Sequence, residues 1–560
     1  MHRPLWLLVS LTFAIGIAQA ASFLPWNFVN GAGEVWNFPG GIIENGANDM
    51  ADGIVGYYYQ LQSPWTLRFL YAPNLAAPGG TNTFWLDPIP WLCFVAKIVH
   101  GVTGSLWNPQ GAYMASTLVL PGVAMVILVA QLGQRNLIAA IAGTLIADST
   151  PFLLHRWGHS ALQSQFLIIL ALALYVRSRR RPADCPTAAM WIALLSIALM
   201  TNVYLFVMVG GVWAAAWIDQ MRHGTGRTFA LLEAAAAIGT AILLSIPLGV
   251  LDDGVGGAGS WGYGVWSMNL ASPFIPQLSG VVPWLQEYRL GFPQQYEGFA
   301  WSGFGAVTLV LAGHRVWFDW MRRRAMAHWP LIGIFLFFFL FAASNRLTLG
   351  SHELFDIPLS DYWRVHVFGI FRSSGRFFWP IGYAAMAASI VLVLTRMRPN
   401  RAICLLLIAS ALQVVDSGPL RSAIHQSAAA PRPPSVDRSA VGAVVAKASA
   451  IEIYPSFGCS RSRAPGQPER SVTEAITLEQ SNLEIQMLAA RRNLPINSVY
   501  HARAVFDCPA ERAKQALPLR PGTAYFYLEP FMPGPDQLLG RDPATICAQL
   551  RGAHYCLPAS

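Results

Sequence analysis

The fold class is decided by stretches such as SALQSQFLIILALALYVRSRRR, residues 160–181, in which an apolar run ends in an arginine cluster. The chain has 560 residues, of which 54% are hydrophobic and only 12% charged, against roughly 25% charged in soluble domains. An ordinary soluble globular protein is therefore excluded, and a polytopic α-helical membrane protein of about 11 to 13 helices is predicted. The predicted spans are 5–24, 111–131, 137–153, 160–176, 188–201, 203–219, 228–250, 301–316, 329–345, 379–395 and 401–418.

The arginines predict the topology of these spans. Clusters alternate with loops that are poor in Lys and Arg, as the positive-inside rule describes. The net charge of +9 is thereby explained without nucleic acid as a partner. Three long loops, 25–85, 251–300 and 346–378, are predicted to face away from the cytoplasm. The clustered residues are Arg177, Arg179, Arg180, Arg181, Arg222, Arg227, Arg315, Arg322, Arg323, Arg324, Arg396, Arg398 and Arg401.

Three segments of the membrane part leave alternatives open. Residues 1–20 resemble a cleavable signal peptide, but a retained first helix is favoured because a polytopic protein needs no separate export signal. Residues 86–103 are apolar but contain Lys97, which favours a re-entrant or interfacial segment over a full crossing. The stretch 188–219 is divided at Thr201-Asn202-Val203-Tyr204, and interrupted membrane helices often border a cavity.

Composition changes after residue 420 and predicts a separate extracytoplasmic domain. A proline-rich linker at 421–436 follows the membrane domain 1–420, and 437–560 has the helix–strand alternation of a small α/β domain. Its four cysteines predict two disulfides with three possible pairings, and the absence of CxxC disfavours a metal site. The cysteines are Cys459, Cys508, Cys547 and Cys556. Helices are predicted at 437–449, 475–492 and 542–551, and strands at 450–455, 497–505 and 523–528.

The first outer loop contains the acidic pair Asp49 and Asp52, which would share one face of a helical turn. Such a pair could bind a divalent ion (Mg²⁺ or Mn²⁺), or one member could act as a general base toward a hydroxyl nucleophile. Asp87 in the same loop is a second candidate for binding a substrate. The alternative for all three residues is helix capping or a solvated turn.

Two basic motifs lie at predicted outer helix ends. In His155-Arg156-Trp157-Gly158-His159, the i, i+4 histidines could hold a metal on a continuous helix, but Gly158 disfavours one and the HExxH glutamate is absent. A polar or phosphate-facing role for Arg156 and His159 is favoured, and helix-end snorkelling is the alternative. In the segment 371–377, Arg372 and Arg376 would form a forked clamp for phosphate, unless they pair with Asp356 and Asp361.

Several enzyme and transporter classes lack support in the sequence. There is no GxxxxGK[ST] phosphate loop, no GxSxG motif and no Rossmann glycine fingerprint ahead of a helix. ATP-driven transport and esterase chemistry are therefore not indicated.

The chain resembles the GT-C clan of membrane glycosyltransferases, in an uncharacterised bacterial branch. The motifs that carry the resemblance are Asp52 with the tyrosines behind it, Asp87-Pro88-Ile89-Pro90, Arg156-Trp157-Gly158-His159, Tyr263 to Pro273, Gln295-Tyr296-Glu297-Gly298-Phe299, Phe371 to Phe377 and Asn497-Ser498-Val499-Tyr500. The resemblance implies a catalytic carboxylate at Asp52 or Asp49, and arginines, here Arg372 and Arg376, that hold a lipid phosphate. The usual acidic pair of the clan is more closely spaced than DxxD, so a metal requirement stays open.

The sequence thus predicts a glycosyltransferase (hexosyl or pentosyl) of the bacterial inner membrane with a periplasmic C-terminal domain. The predicted partners are a polyprenyl-phosphate sugar and an extracytoplasmic acceptor, either a cell-surface glycan or a lipid. The predicted substrate-binding residues are Asp87, Arg156, His159, Tyr204, Glu297, Arg372 and Arg376. The rival interpretations are a transporter or flippase of lipid-linked sugars, and a non-enzymatic envelope assembly protein.

Overall fold

The helices and strands are those of a computed structural model. It describes residues 3–31, 49–181, 184–223, 226–250, 260–276, 278–285, 291–429, 433–461, 471–500, 507–514, 519–528 and 545–558. Glu34, Glu44, Asp252, Asp253 and Glu287, which the sequence places in outer loops, lie outside the described residues.

The helices dominate the fold. In chain order they are α1 Leu5–Ala21, α2 Trp26–Val29, α3 Asp49–Gln62, α4 Pro90–Thr103, α5 Gln110–Thr117, α6 Leu120–Gln131, α7 Leu137–Asp148, α8 Pro151–Leu154, α9 Phe166–Arg180, α10 Cys185–Leu199, α11 Val203–His223, α12 Arg227–Leu248, α13 Phe304–Ala312, α14 His314–Arg324, α15 Trp329–Ala343, α16 Trp379–Arg396, α17 Pro399–Asp416, α18 Gly418–Ala429, α19 Arg438–Val445, α20 Val472–Ala490 and α21 Cys508–Lys514. The strands are β1 Tyr71–Ala72, β2 Thr81–Asn82, β3 Arg346–Leu349, β4 His352–Asp356, β5 Ala450–Tyr454, β6 Thr523–Tyr527, β7 Thr545–Leu550 and β8 Ala553–Pro558.

The predicted fold class, a multi-pass helical membrane protein with a small C-terminal α/β domain, is confirmed. Within the described residues, six helical stretches are long and apolar enough to cross a membrane, and five shorter apolar helices accompany them. The predicted break in 188–219 is present between α10 and α11, where the Asn202 side chain accepts the Tyr204 N–H at 2.9 Å. The stretch 301–316 differs from the prediction, since its apolar helix α13 has only nine residues before Gly313.

The chain forms two compact units, each of which is discontinuous in sequence. Unit 1 comprises Met1–Ala32, Gln110–Leu244 and Ala258–Ala429, and contains most of the apolar helices. Unit 2 comprises Gly33–Pro109, Ser245–Gly257 and Ala430–Ser560. The linear division of the chain at a linker 421–436 stays a prediction.

Small residues permit close helix packing in unit 1. Gly16 of α1 is an example, since a Cβ there would lie 2.8 Å from the Val119 side chain and 3.1 Å from Asp148 Oδ2. Membrane helices gain little from expelling water and rely on such close approach. One face of α1 is thereby buried against α6 and α7, and whether this helix is retained stays a prediction.

Helix α4 of unit 2 accommodates its lysine in an aromatic setting. The Lys97 ammonium donates to the Gln60 carbonyl at 2.8 Å and lies 5.1 Å from the centre of the Trp65 ring. A carbonyl and a ring face are both favourable partners for a desolvated cation. These contacts explain how a buried charge is tolerated on an apolar helix.

The C-terminal domain is built on a four-stranded sheet with the order β5-β6-β8-β7. β5 and β6 are parallel, whereas β8 runs antiparallel to both β6 and β7. The helix predicted at 542–551 is wrong, because β7 pairs with β8 over six residues and this pairing outweighs the local pattern. The strand predicted at 497–505 is also absent from its described part, where Asn497 instead bonds through its side chain to both backbone groups of Ile453.

Candidate functional site

Three membrane spans of unit 1 begin next to residues that the sequence singles out, and each ends at an arginine. They are Ser160–Arg180, which follows His159, Val203–Arg222, which contains Tyr204, and Ser374–Arg396, which contains Arg376. α9 packs against both α11 and α16. The candidate residues therefore gather at the ends of the spans that lie opposite the arginine clusters.

A buried carboxylate joins two arginines at this end. Arg156 Nη1 and Arg376 Nη2 each donate to Glu297 Oε2 at 2.7 Å. The three residues are at most 8% exposed. Burial would raise the pKa of Glu297, but the charges of Arg156 and Arg376 outweigh it and hold that pKa well below its usual range. Glu297 is therefore ionised at neutral pH.

The two histidines lie beside this cluster. His159 Nε2 is 3.9 Å from Glu297 Oε1. His155 stacks on Phe299 with ring centres 4.4 Å apart, and its Nδ1 lies 2.9 Å from Arg156 Nη2. Burial, and next the charge of Arg156, keep the pKa of His155 well below its usual range, so its ring is neutral and Nδ1 accepts from the arginine. Both histidines thus face the Arg156–Glu297 pair.

Two glycines allow the segments of the cluster to meet. Glu297 lies in the short helical turn Pro293–Gly298, and Arg376 lies in Ser374–Phe378. A Cβ on Gly375 would clash with the Cα of Gly298. A Cβ on Gly298 would instead clash with the Ser267 carbonyl oxygen, so the absence of a side chain at Gly375 is what lets the Arg376 segment approach the Glu297 segment.

The two arginines of the 371–377 motif have different surroundings. Arg376 lies 4.9 Å from the centre of the Tyr204 ring, whose hydroxyl accepts the Ser373 N–H at 3.1 Å. Arg372 instead lies 4.7 Å from the Trp266 ring centre, and donates to the Ser260 hydroxyl at 3.0 Å.

The two arginines of the expected clamp therefore contact different aromatic rings, Arg376 that of Tyr204 and Arg372 that of Trp266. The possible partners Asp356 and Asp361 bond to Arg346 and Arg364 instead. Sequence reasoning did not single out Trp266 or Ser260 as neighbours of Arg372. Trp266 does fall in the 263–273 motif of the family resemblance.

The acidic candidates belong to unit 2 and are described within it. Asp52 is buried in α3, at 2% exposure, whereas Asp87 is exposed and has a positive φ of 55° at the end of a short helical turn. A Cβ on Gly53 would lie 3.3 Å from the Leu86 carbonyl oxygen and 3.6 Å from that of Asp87. The Asp52 and Asp87 segments are therefore in close contact. α3 begins at Asp49, whose side chain lies outside the described part of the structure.

The described residues contain two disulfides but no cluster of metal-binding side chains. Among them, no group of three or more His, Cys, Asp or Glu side chains is placed to hold a metal ion. The disulfides pair Cys459 with Cys508 and Cys547 with Cys556, which is one of the three connectivities open at the sequence level.

The chain matches the family described as "Domain of unknown function (DUF6311)" over residues 13–418, and the "DUF6311 C-terminal domain" over residues 440–558. The first match covers more than half of the chain, which therefore belongs to the DUF6311 family. No curated protein matches the chain. The crystal structure of ArnT from Cupriavidus metallidurans in the apo state is similar at 12% identity and a TM-score of 0.41, over 94% of this chain and 96% of that one. A likeness at this level carries no functional inference.

Proposed function

We propose that this member of the DUF6311 family is a membrane glycosyltransferase, which transfers a sugar from a polyprenyl-phosphate donor to an extracytoplasmic acceptor. The observation that carries the proposal is the buried cluster in which Arg156 and Arg376 share one oxygen of Glu297. Guanidinium groups are the side chains best suited to bind phosphate in a forked geometry. Ionisable residues at membrane helix ends are functional candidates by default, because burying them is costly.

The arginine distribution supports an extracytoplasmic location for this chemistry. The spans that begin at the cluster end at Arg180, Arg222 and Arg396. Positive residues favour the cytoplasmic side, so the opposite ends favour the outer side. The two disulfides agree, because such bonds persist in oxidising compartments such as the bacterial periplasm.

In the proposed reaction, an acceptor hydroxyl oxygen attacks the anomeric carbon while the bond from that carbon to the phosphate oxygen breaks. The hydroxyl proton passes to a carboxylate, for which we propose Asp52, with Asp49 as the alternative. The electron pair of the broken bond remains on the polyprenyl phosphate. Arg376 stabilises this leaving group by exchanging its contact with Glu297 for one with phosphate, and Arg372 assists. A Mg²⁺ or Mn²⁺ ion at Asp49 and Asp52 stays a prediction.

Binding of a fluorescent polyprenyl phosphate to the full-length protein in nanodiscs tests the phosphate site. Replacing Arg376 by Gln removes one charge-assisted contact of about 1.5–3 kcal/mol, so we expect binding to weaken roughly tenfold to a hundredfold. Arg364→Gln is the matched control, since Arg364 lies in the same outer segment but pairs with Asp361 at the surface. Equal binding by the Arg376→Gln variant and the wild type would overturn the phosphate role.

Replacing Asp52 by Asn distinguishes transfer from flipping. The carboxamide keeps the shape of the side chain but cannot act as a base, so the enzyme should lose transfer of labelled sugar from lipid to a water-soluble product. Binding of polyprenyl phosphate should persist. A flippase needs no base and would keep moving labelled lipid across proteoliposome membranes in the Asp52→Asn variant, which would favour that rival.

A further inference from the structure

One face of the C-terminal sheet carries tyrosines, whereas the other carries residues without a polar group. In the parallel pair β5–β6, Glu452 is the partner of Tyr525 and Tyr454 that of Tyr527. Residues at partner positions point to the same side of a sheet, and alternate residues point to opposite sides. The opposite face therefore carries Ile451, Ile453, Ala524 and Phe526, and the tyrosines are as buried as these residues are.

The tyrosine face forms the floor of a cavity of about 900 Å³ within unit 2. Its walls are α21, through Ala510 and Lys514, and the loop Pro73–Pro78 between β1 and β2. Ligand pockets usually measure roughly 300–1,000 Å³. The size of this cavity is near the upper end of that range, which favours a ligand longer than a single sugar ring.

The rim of the cavity carries both signs of charge. Arg520 pairs with Glu452 and Lys514 is exposed, while Asp507 and Glu511 add carboxylates. Carboxylates in this number disfavour a polyanion, and the two cations disfavour a purely cationic ligand. A polar rim also disfavours an acyl chain. A rim of mixed charge suits a neutral molecule with many hydrogen-bond donors and acceptors.

The floor of the cavity is formed by tyrosines that pack on one another. Tyr454 and Tyr527 are stacked with ring centres 5.9 Å apart, and the Tyr454 hydroxyl donates to Glu452 at 2.6 Å. Tyrosine supplies a rigid ring for packing and a hydroxyl for hydrogen bonding. These tyrosine rings are at most 5% exposed, so they close the floor, and hydrogen bonding falls to the rim, where sugar hydroxyls can bond to carboxylates and cations.

We propose that this cavity, between the tyrosine face of the sheet, α21 and the loop Pro73–Pro78, binds an oligosaccharide. Its role as the acceptor site rests on the proposed function, whereas the binding itself does not. The exposed wall residue Ala510 offers a way to close the cavity without removing any contact.

Saturation-transfer NMR on the full-length protein in detergent, with maltotetraose, cellotetraose and chitotetraose as probes, tests the binding. We expect the wild type to bind at least one of them and Ala510→Trp to weaken that binding tenfold or more. Ala513→Trp is the matched control, because Ala513 is exposed on the same helix but does not line the cavity. Its affinity should equal that of the wild type.

A second variant tests the rim without adding bulk. Arg520→Ala should weaken binding of the same probe, whereas Arg551→Ala, at another exposed arginine of the domain, should not. The proposal is overturned if no tetrasaccharide binds the wild type, or if Ala510→Trp and Arg520→Ala bind as well as their controls.

The failure of this inference can be told apart from failure of the transferase proposal. Arg376→Gln tests phosphate binding and should leave tetrasaccharide affinity unchanged. One distinguishing result would be that the wild type binds a tetrasaccharide, the Ala510→Trp variant loses that binding, and the protein shows no sugar transfer. That result would refute the transferase proposal and support the binding site.

Discussion

Replacing Glu297 by Gln removes the charge that two buried arginines share, while the side chain keeps its shape. Both arginines donate to the same oxygen, Oε2, at 2.7 Å. An amide oxygen in that position can still accept both bonds. The loss is therefore one of charge and not of hydrogen-bond number.

The magnitude follows from the loss of a buried ion pair. The arginine donors stay charged, so the bonds remain charge-assisted, and what is lost is the attraction between the two guanidinium groups and the carboxylate. The guanidinium groups of Arg156 and Arg376 also stay buried with less negative charge beside them. Breaking a buried ion pair costs about 3–5 kcal/mol, and we expect Glu297→Gln to destabilise unit 1 by that amount.

Thermal unfolding of the full-length protein in detergent measures the effect. At about 2–4 °C per kcal/mol, Glu297→Gln should lower the Tm by roughly 6–20 °C. Glu353→Gln is the control, because Glu353 forms an ion pair with Arg346 at 2.8 Å on a half-exposed surface, where such pairs contribute about 0–1 kcal/mol. Equal Tm values for the Glu297→Gln and Glu353→Gln variants would refute the shared-charge argument.

The same carboxylate predicts an acid dependence of stability. The folded-state pKa of Glu297 lies well below its ordinary value of 4.5, so its contribution is complete above about pH 4.5 and is lost as the pH falls toward the folded-state pKa. The difference in Tm between the wild type and Glu297→Gln should therefore narrow below pH 4.5. A difference that stays constant down to pH 3 would contradict the assignment.

Two further predictions concern backbone packing and cross-links. Gly375→Ala should destabilise the protein by about 1–3 kcal/mol, because its Cβ would clash with Gly298. Gly333→Ala in α15 is the control, since its Cβ meets nothing within 4 Å and the change should be neutral or stabilising. Thermal unfolding compares the two variants. Cys459→Ser opens a link across 49 residues and should cost about 4 kcal/mol, against about 2.6 kcal/mol for Cys556→Ser across 9 residues. Limited proteolysis of the C-terminal domain should rank the two variants in that order.

The membrane part of the fold was predictable because bilayer thickness and the positive-inside rule act on local sequence. The predicted span 379–395 and α16 at Trp379–Arg396 nearly coincide. The break before Tyr204 was also predicted, since two short spans keep Arg222 and Arg227 on the same side as the other arginine clusters. Strand β7 was not, because its apolar spacing resembles that of a helix and only pairing with β8 decides between the two.

The candidate site was predictable as parts but not as a whole. Arg156, Glu297 and Arg376 each stood out in a separate motif. Along the chain, however, Arg156 lies 141 residues from Glu297, and Arg376 lies 79 residues from it. No local pattern tells which carboxylate an arginine selects. The glycines at 298 and 375 occupy positions where the structure leaves no room for a Cβ, but the sequence alone does not show what each of them packs against.

The structure also determines which experiments can separate an enzyme from an assembly protein. Within unit 2, the first outer loop and the C-terminal domain share backbone pairing. The Tyr59 hydroxyl donates to the Leu494 carbonyl at 2.7 Å, and the backbones of Asn74 and Ala77 bond to that of Ile496 at 2.9 and 2.7 Å. Deleting residues 420–560 would remove α20, against which α3, the helix that carries Asp52, is packed. Absence of transfer after that deletion would therefore not distinguish an enzyme from an assembly protein, because the deletion removes the support of the proposed base. Point variants that leave this pairing intact are needed. Asp52→Asn tests whether α3 carries the transfer chemistry, and Ala510→Trp tests whether the C-terminal domain binds the oligosaccharide.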